Sequence, residues 1–223
     1  TTFTFTVSLS PAAAGPTSVT ATTSDGSATT ADSDYVSNAQ LVSFPAGSTS
    51  QSFQVTVNGD TKNEPGEVFN VTLSGASAGT AIGSPAATGT ITNDDPVPSI
   101  TIGDVSGLEG NAGPTPFGFT ATLSNPSSQT VTVAYATADG TATTADADYA
   151  SVAGTLTFNP GVTTQPLTVN VNGDGTDEPD ETFFVNLSSP SNATVGDPQA
   201  QGTIQNDDST TPTFSIANVS QVE

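Results

Sequence analysis

The chain has 223 residues, 33% of them hydrophobic, and sets 22 Asp and Glu against a single basic residue, Lys62. The resulting net charge of −21 argues against nucleic acid or an anionic membrane surface as a partner, because phosphate recognition works through Lys and Arg. Histidine, cysteine and arginine are absent, which removes a disulfide frame, a His-ligated zinc site and Ser-His-Asp or Cys-His catalysis from this chain, and no stretch approaches the roughly 18 apolar residues of a spanning helix.

In chain order the first features are the pair Phe3-x-Phe5, the loop DGSATTADSDY at Asp25–Tyr35, an acidic turn carrying Asp60, Glu64 and Glu67, and the doublet Asp94-Asp95. Each of them returns later. Asp139–Tyr149 reads DGTATTADADY, matching nine of eleven residues at an offset of 114; the same offset leads to Phe117-x-Phe119 and to Asp174, Glu178 and Glu181. Asp94-Asp95 recurs as Asp207-Asp208 at an offset of 113. The chain therefore holds two copies of one domain.

The junction Asp95–Ser99 (DPVPS) contains two prolines, which restrict φ and the preceding residues, so a stiff connection is expected. Copy two then shows Ile100/Ile102, Phe117–Leu123, Val131–Thr137, Thr155–Phe158, Leu167/Val169/Val171, Phe183/Val185/Leu187 and Thr203-Ile204. Each run alternates apolar with polar residues, and Gly, Pro, Asn and Asp fill the gaps, which predicts strands and no helix. About seven short strands in roughly 110 residues describe an all-β fold of two tandem immunoglobulin-like, seven-stranded antiparallel sandwiches. Tyr35 and Tyr149 are expected to pack inside them.

The end of the chain repeats the start of copy two: Thr213–Glu223 (TFSIANVSQVE) corresponds to Ser99–Glu109 (SITIGDVSGLE). The expected organisation is thus a repeat over 1–95 that lacks its first strand, a complete repeat over 99–208, and the first strand of a third repeat over 212–223, in a segment of a longer extracellular protein. Two readings of the matching ends stand. One is a boundary falling in the exposed loop GNAGP; the other is donor-strand exchange, in which Thr213–Glu223 of one chain completes the first sandwich of the next. The second would give head-to-tail association into a fibre.

Acids concentrate at predicted strand ends. In copy two these are Glu109, Asp146 and Asp148, the run Asp174, Asp177, Glu178, Asp180 and Glu181, and Asp207-Asp208. Two unit charges about 4 Å apart repel by roughly 4 kcal/mol at an effective dielectric near 20. A converged cluster would need cations, and calcium, which takes six to eight oxygens in irregular loops, suits it. The alternative is that these acids are solvated turn residues, since Asp and Asn favour turns.

The run GDGTDEPDETFFVNLS (Gly173–Ser188) followed by GTIQNDD (Gly202–Asp208), with its counterpart GDTKNEPGEVFNVTLS (Gly59–Ser74) and GTITNDD (Gly89–Asp95), resembles the Calx-β domain of sodium/calcium exchangers, an integrin β subunit and many bacterial surface proteins. The resemblance covers essentially the whole chain. It implies a seven-stranded sandwich with Ca2+ bound at one end. The implied ligands in copy two are Glu109, Asp148, Asp174, Glu178, Glu181, Asp207 and Asp208; in copy one they are Asp34, Asp60, Glu64, Glu67, Asp94 and Asp95, with Glu223 of a neighbouring molecule in the place of Glu109. Gly59 and Gly173 stand where calcium-sensing exchanger domains carry a second acid, so about one to three ions per copy are expected.

The expected role is structural: a calcium-stiffened repeat of an extracellular adhesin, matrix protein or filament, probed by its neighbouring repeats and not by a substrate. A calcium sensor that changes shape and a calcium-dependent glycan-binding module are the alternatives. A glycosidase is disfavoured, because neither a pocket nor aromatic subsites accompany the paired carboxylates.

Overall fold

The computed structural model describes residues 1–209 and 214–221. These residues form strands, turns and loops without any helix long and apolar enough to cross a membrane. They fall into two compact units, Thr1–Pro96 and Val97–Glu223.

Unit 1 contains β1 (Thr2–Ser8), β2 (Thr17–Ser24), β3 (Ala39–Phe44), β4 (Ser50–Thr56), β5 (Glu67–Ser74) and β6 (Ala86–Ile91). Its sheets are β1-β4 and β3-β2-β5-β6. Unit 2 contains β7 (Ser99–Ile102), β8 (Val105–Leu108), β9 (Gly113–Leu123), β10 (Val131–Asp139), β11 (Ala153–Phe158), β12 (Thr164–Gly173), β13 (Glu181–Ser191), β14 (Thr194–Val195) and β15 (Gln199–Gln205). Its sheets are β12-β9-β7-β14 and β11-β10-β13-β15-β8. The all-β sandwich is as the alternation of the sequence requires. In β4, for example, Phe53 and Val55 are buried while Ser52 and Gln54 between and beside them face water.

The first strand of copy two differs from expectation. Ser99–Glu109 is not one strand but two, separated at Gly103-Asp104 and placed in opposite sheets. β7 runs antiparallel to β9, with Ile100 opposite Leu123, and β8 runs parallel to β15, with Val105 opposite Gly202. Stepping between sheets lets one short segment close an edge of each, which a straight strand cannot do. The sequence reading also missed β14, two residues parallel to β7, too short to leave a periodic signal.

Each core is built around one phenylalanine. The Phe69 ring stacks on Tyr35 at 4.7 Å between centroids and meets Phe5 edge-on at 5.9 Å; Phe183 repeats this with Tyr149 at 4.6 Å and Phe119 at 5.9 Å. The residues paired with these phenylalanines across the ladder are Gly89 and Gly202, and a Cβ at either would collide with the ring. Both tyrosines are packing residues, as expected. Each donates its hydroxyl hydrogen to a loop carboxylate, Tyr35 to Asp25 and Tyr149 to Asp139, both at 2.6 Å. Burial, reinforced by that carboxylate, pushes both phenols up to about 12.

Candidate metal centre

Sheet topology carries the acids of each unit to one end. β13 begins at Glu181, opposite Ile204 near the end of the antiparallel β15. β8 is parallel to β15 and therefore finishes at the same end, where the Glu109 N–H donates to the Gln205 carbonyl at 3.2 Å. Asp207-Asp208 follow directly. In unit 1, Glu67 opens β5 opposite Ile91, the last residue of β6, and Asp94-Asp95 come next.

Local turns then aim the side chains. Ser33 and Ala147 hold φ of 69° and 70°, a left-handed step that turns the following aspartate inward. Asp34 accepts the Thr29 N–H at 2.7 Å and Asp148 the Thr143 N–H at 2.6 Å, leaving one oxygen of each carboxylate for other partners. Asp60 and Asp174 each close a small turn by accepting the N–H two residues on, at 2.8 and 2.6 Å.

Among the described residues three groups of carboxylates result. Asp34, Glu64 and Glu67 offer oxygens within 4.8 Å of one another, as do Asp148, Glu178 and Glu181, and also Glu109, Asp207 and Asp208. Asp60, Asp94 and Asp95 line the same shallow pocket of about 150 Å³ as the unit 1 group. Asp174 lies close enough to Glu109 and Glu178 to raise the proton affinity of both. Of the residues singled out in sequence, Glu223 lies outside the described residues; all the others stand at the acidic end of their unit.

The electrostatics show the cost of this convergence. Burial, then repulsion from Asp34 and Glu64 and a hydrogen bond with Asp34, raise Glu67 to about 7. Burial, then Asp148, raise Glu181 to about 7 as well. Glu109, 7% exposed, is raised by burial and then by Glu178, Asp174, Asp208 and Asp207. Unit 1 relieves part of this strain internally: the Lys62 ammonium lies 2.6 Å from Glu64 Oε1. The corresponding residue of unit 2 is the uncharged Thr176.

Donors among the described residues do not satisfy it. Asp207 accepts the Gly110 N–H at 3.0 Å, and Asp208 Oδ1 accepts from the Asn111 side-chain amide. Among the described residues, Asp208 Oδ2 is buried without a hydrogen-bond partner. A buried carboxylate oxygen beside Glu109 and Asp207 fits a hard, oxygen-seeking cation.

Two residues of the acidic end were overlooked in sequence although they lie in the quoted motifs. Asn93 accepts the Glu64 N–H at 3.3 Å and donates to the Asp95 carbonyl at 2.9 Å, tying two acidic loops together. Asn206 does the same in unit 2, donating to the Asp208 carbonyl at 3.0 Å and to Asp177 at 3.1 Å. The asparagine of each N-D-D run was the available signal. The glycines at the second-acid position also acquire a reason in unit 2: a Cβ on Gly173 would collide with the Gly110 and Glu109 carbonyl oxygens, whereas Gly59 has open space.

The Calx-beta domain model matches residues 1–96 and 119–209, most of the chain. The chain belongs to the Calx-beta family. Among solved structures it is similar to CBD12 from CALX1.2, at 22% identity over 92% of this chain and 93% of that one, with a TM-score of 0.44. It is also similar to the calcium binding domain CBD12 of CALX1.1, at 26% identity over 85% and 73% with a TM-score of 0.42. A two-domain protein of Bacteroides fragilis is more distant, at 10% identity over 92% and 83% with a TM-score of 0.30. Curated proteins give no match.

Proposed function

We propose that the chain is a calcium-binding structural repeat module of an extracellular adhesin, matrix protein or filament, and that its partners are neighbouring repeats and further copies of itself. The observation that carries the calcium reading is Asp208 Oδ2, a buried oxygen with no donor among the described residues, in a group of three carboxylates. Calx-beta relatives whose structures are described as calcium binding domains support it.

In this reading Glu109, Asp174, Asp207 and Asp208 hold one part of the ion set of unit 2 and Asp148, Glu178 and Glu181 the other. Asp34, Asp60, Glu64, Glu67, Asp94 and Asp95 serve unit 1, with Glu223 of a neighbouring molecule as the candidate for the acid that Glu109 provides in unit 2. The ions neutralise carboxylates that otherwise repel, so binding and folding are coupled. At free calcium of 100 times the dissociation constant each site adds about 2.7 kcal/mol. Millimolar extracellular calcium reaches that level for sites near 10⁻⁵ M, which is why an extracellular setting suits oxygen-only loops in a cysteine-free chain.

Calorimetric titration of calcium into the metal-free chain, beside an Asp208→Asn variant, tests this reading. Saturable heat with the wild type, reduced in the variant, is expected. No heat and no rise in melting temperature with millimolar calcium would reject it.

A further inference from the structure

Asn58 and Asn172 hold the same place in the two repeats, in the run VNGD, two residues ahead of Asp60 and Asp174. Each stands against a residue with a left-handed backbone. The Asn172 side-chain amide donates to the Ala147 carbonyl at 2.6 Å, and the Asn58 amide donates to the Ser33 carbonyl, also at 2.6 Å. The main chain of each asparagine takes the next carbonyl along. The Asn172 N–H donates to the Asp148 carbonyl at 2.8 Å and the Asn58 N–H to the Asp34 carbonyl at 3.0 Å.

The two peptide units that flank the Asp148 Cα are therefore both held by Asn172, and those that flank the Asp34 Cα by Asn58. That fixes the direction in which each aspartate side chain leaves the backbone. The Tyr149–Val171 bridge and the bond from the Ala150 N–H to the Asn170 carbonyl, at 2.8 Å, anchor the loop after Asp148. Asn172 carries the anchoring across Asp148 to Ala147, and so ties the loop of Asp148 to the strand end that leads to Asp174.

The bonds are not needed to pair a buried group. Both asparagines are exposed, as are Ser33 and Ala147, so water would satisfy the carbonyls in their absence. What water does not supply is a fixed direction. Left-handed φ is uncommon outside glycine, asparagine and aspartate, and Ala147 has no polar side chain to favour it. The aspartates are also held against repulsion. Asp148 shares its group with Glu178 and Glu181, and Asp34 with Glu64 and Glu67; like charges at that range push a carboxylate on a free loop towards solvent.

We infer that Asn58 and Asn172 are positioning residues of the ion sites: by clamping the left-handed step they keep the Asp34 and Asp148 carboxylates beside their neighbours, in place for a cation. This inference rests on the calcium reading of the acidic ends and names the residues that preorganise them.

Asn172→Ala removes the amide and leaves the main-chain bonds of β12. The Thr143 N–H, which donates to Asp148 Oδ2 at 2.6 Å, reports where that carboxylate is held. In EDTA its hydrogen exchange should quicken in the variant while the amides of β13 keep their protection. Calcium binding by the Asp148 group should weaken about tenfold or more, with unit 1 unchanged as the internal reference. Asn58→Ala should move both effects to unit 1. The melting temperature of metal-free unit 2 should hold, because freeing Asp148 relieves repulsion as it removes a bond. Ala147→Asn, whose side chain favours the left-handed conformation, should restore most of the affinity lost in Asn172→Ala. A lower melting temperature in EDTA with unchanged calcium affinity would mark an ordinary surface hydrogen bond and overturn the inference. Unchanged exchange at Thr143 would do the same. Wild-type chain that takes up no calcium removes the calcium reading and this inference together, whereas wild type and Asn172→Ala binding equally tightly removes this inference alone.

Discussion

The acidic end of unit 1 and that of unit 2 solve one electrostatic problem differently. Unit 1 uses six acids and places the Lys62 ammonium against Glu64; unit 2 has Thr176 at that point, adds Glu109, and turns Asn63 and Gly66 of unit 1 into Asp177 and Asp180. The first end carries a tethered cation, and the second leaves more carboxylate charge to be met from solution. Duplicated loops can thus differ in how much carboxylate charge they leave unbalanced. That difference is set by single side chains and not by the fold.

The largest expected effect concerns the covering of the two cores. Phe119→Ala should cost unit 2 about 3–5 kcal/mol, and Phe5→Ala clearly less, because the Phe5 ring is already partly in water. Urea unfolding of the dilute full chain measures both, and equal losses would break the contrast between closed and open sandwiches. Calcium comes next. At 100 times the dissociation constant it should stabilise unit 2 by about 2.7 kcal/mol for each occupied site, and unit 1 by less, resolved as separate shifts of two calorimetric transitions.

A charge swap sharpens the same comparison. Lys62→Thr should lower the stability of metal-free unit 1 and tighten its calcium binding by about tenfold, or about 1.4 kcal/mol. Thr176→Lys should weaken calcium binding by unit 2 to a similar extent. Titration of the two variants reads both, and unchanged affinities would mean that Lys62 does not compete with the ion.

The smallest effect is the pH dependence of the metal-free chain. Glu67 and Glu181 bind protons more tightly folded than unfolded, being raised to about 7 from an ordinary value of 4.5. Their contribution is complete below 4.5 and is lost as pH rises through 7, so metal-free stability should fall between pH 5 and pH 8. Melting temperatures in EDTA check the slope. Saturating calcium should reverse it, since the ion takes the deprotonated carboxylates.

The candidate site was partly legible because duplication marks it. Asp148, Glu178 and Glu181 stand in motifs that recur at a constant offset, and the strand pattern puts each at the end of an apolar run. The roles of Asn93 and Asn206 were not legible, because asparagine beside aspartate reads equally well as an ordinary turn. Nor did Lys62 read as a counter-ion: its proximity to Glu64 depends on a turn closed by Asp60, not on spacing alone.

What the sequence determined is what short-range periodicity can encode: the repeat, the strands and the Calx-beta motifs. Alternation over a few residues decides which side of a strand meets the core, and that information is local. The tertiary structure decided what depends on pairing between distant strands. Splitting Ser99–Glu109 between two sheets brings Glu109 to Asp207 and Asp208 through a parallel ladder. The same pairing closes one side of unit 2, whereas β1 and β6 of unit 1 each have one neighbour among the described residues. Register across a sheet joins residues about a hundred positions apart, and no local pattern carries that.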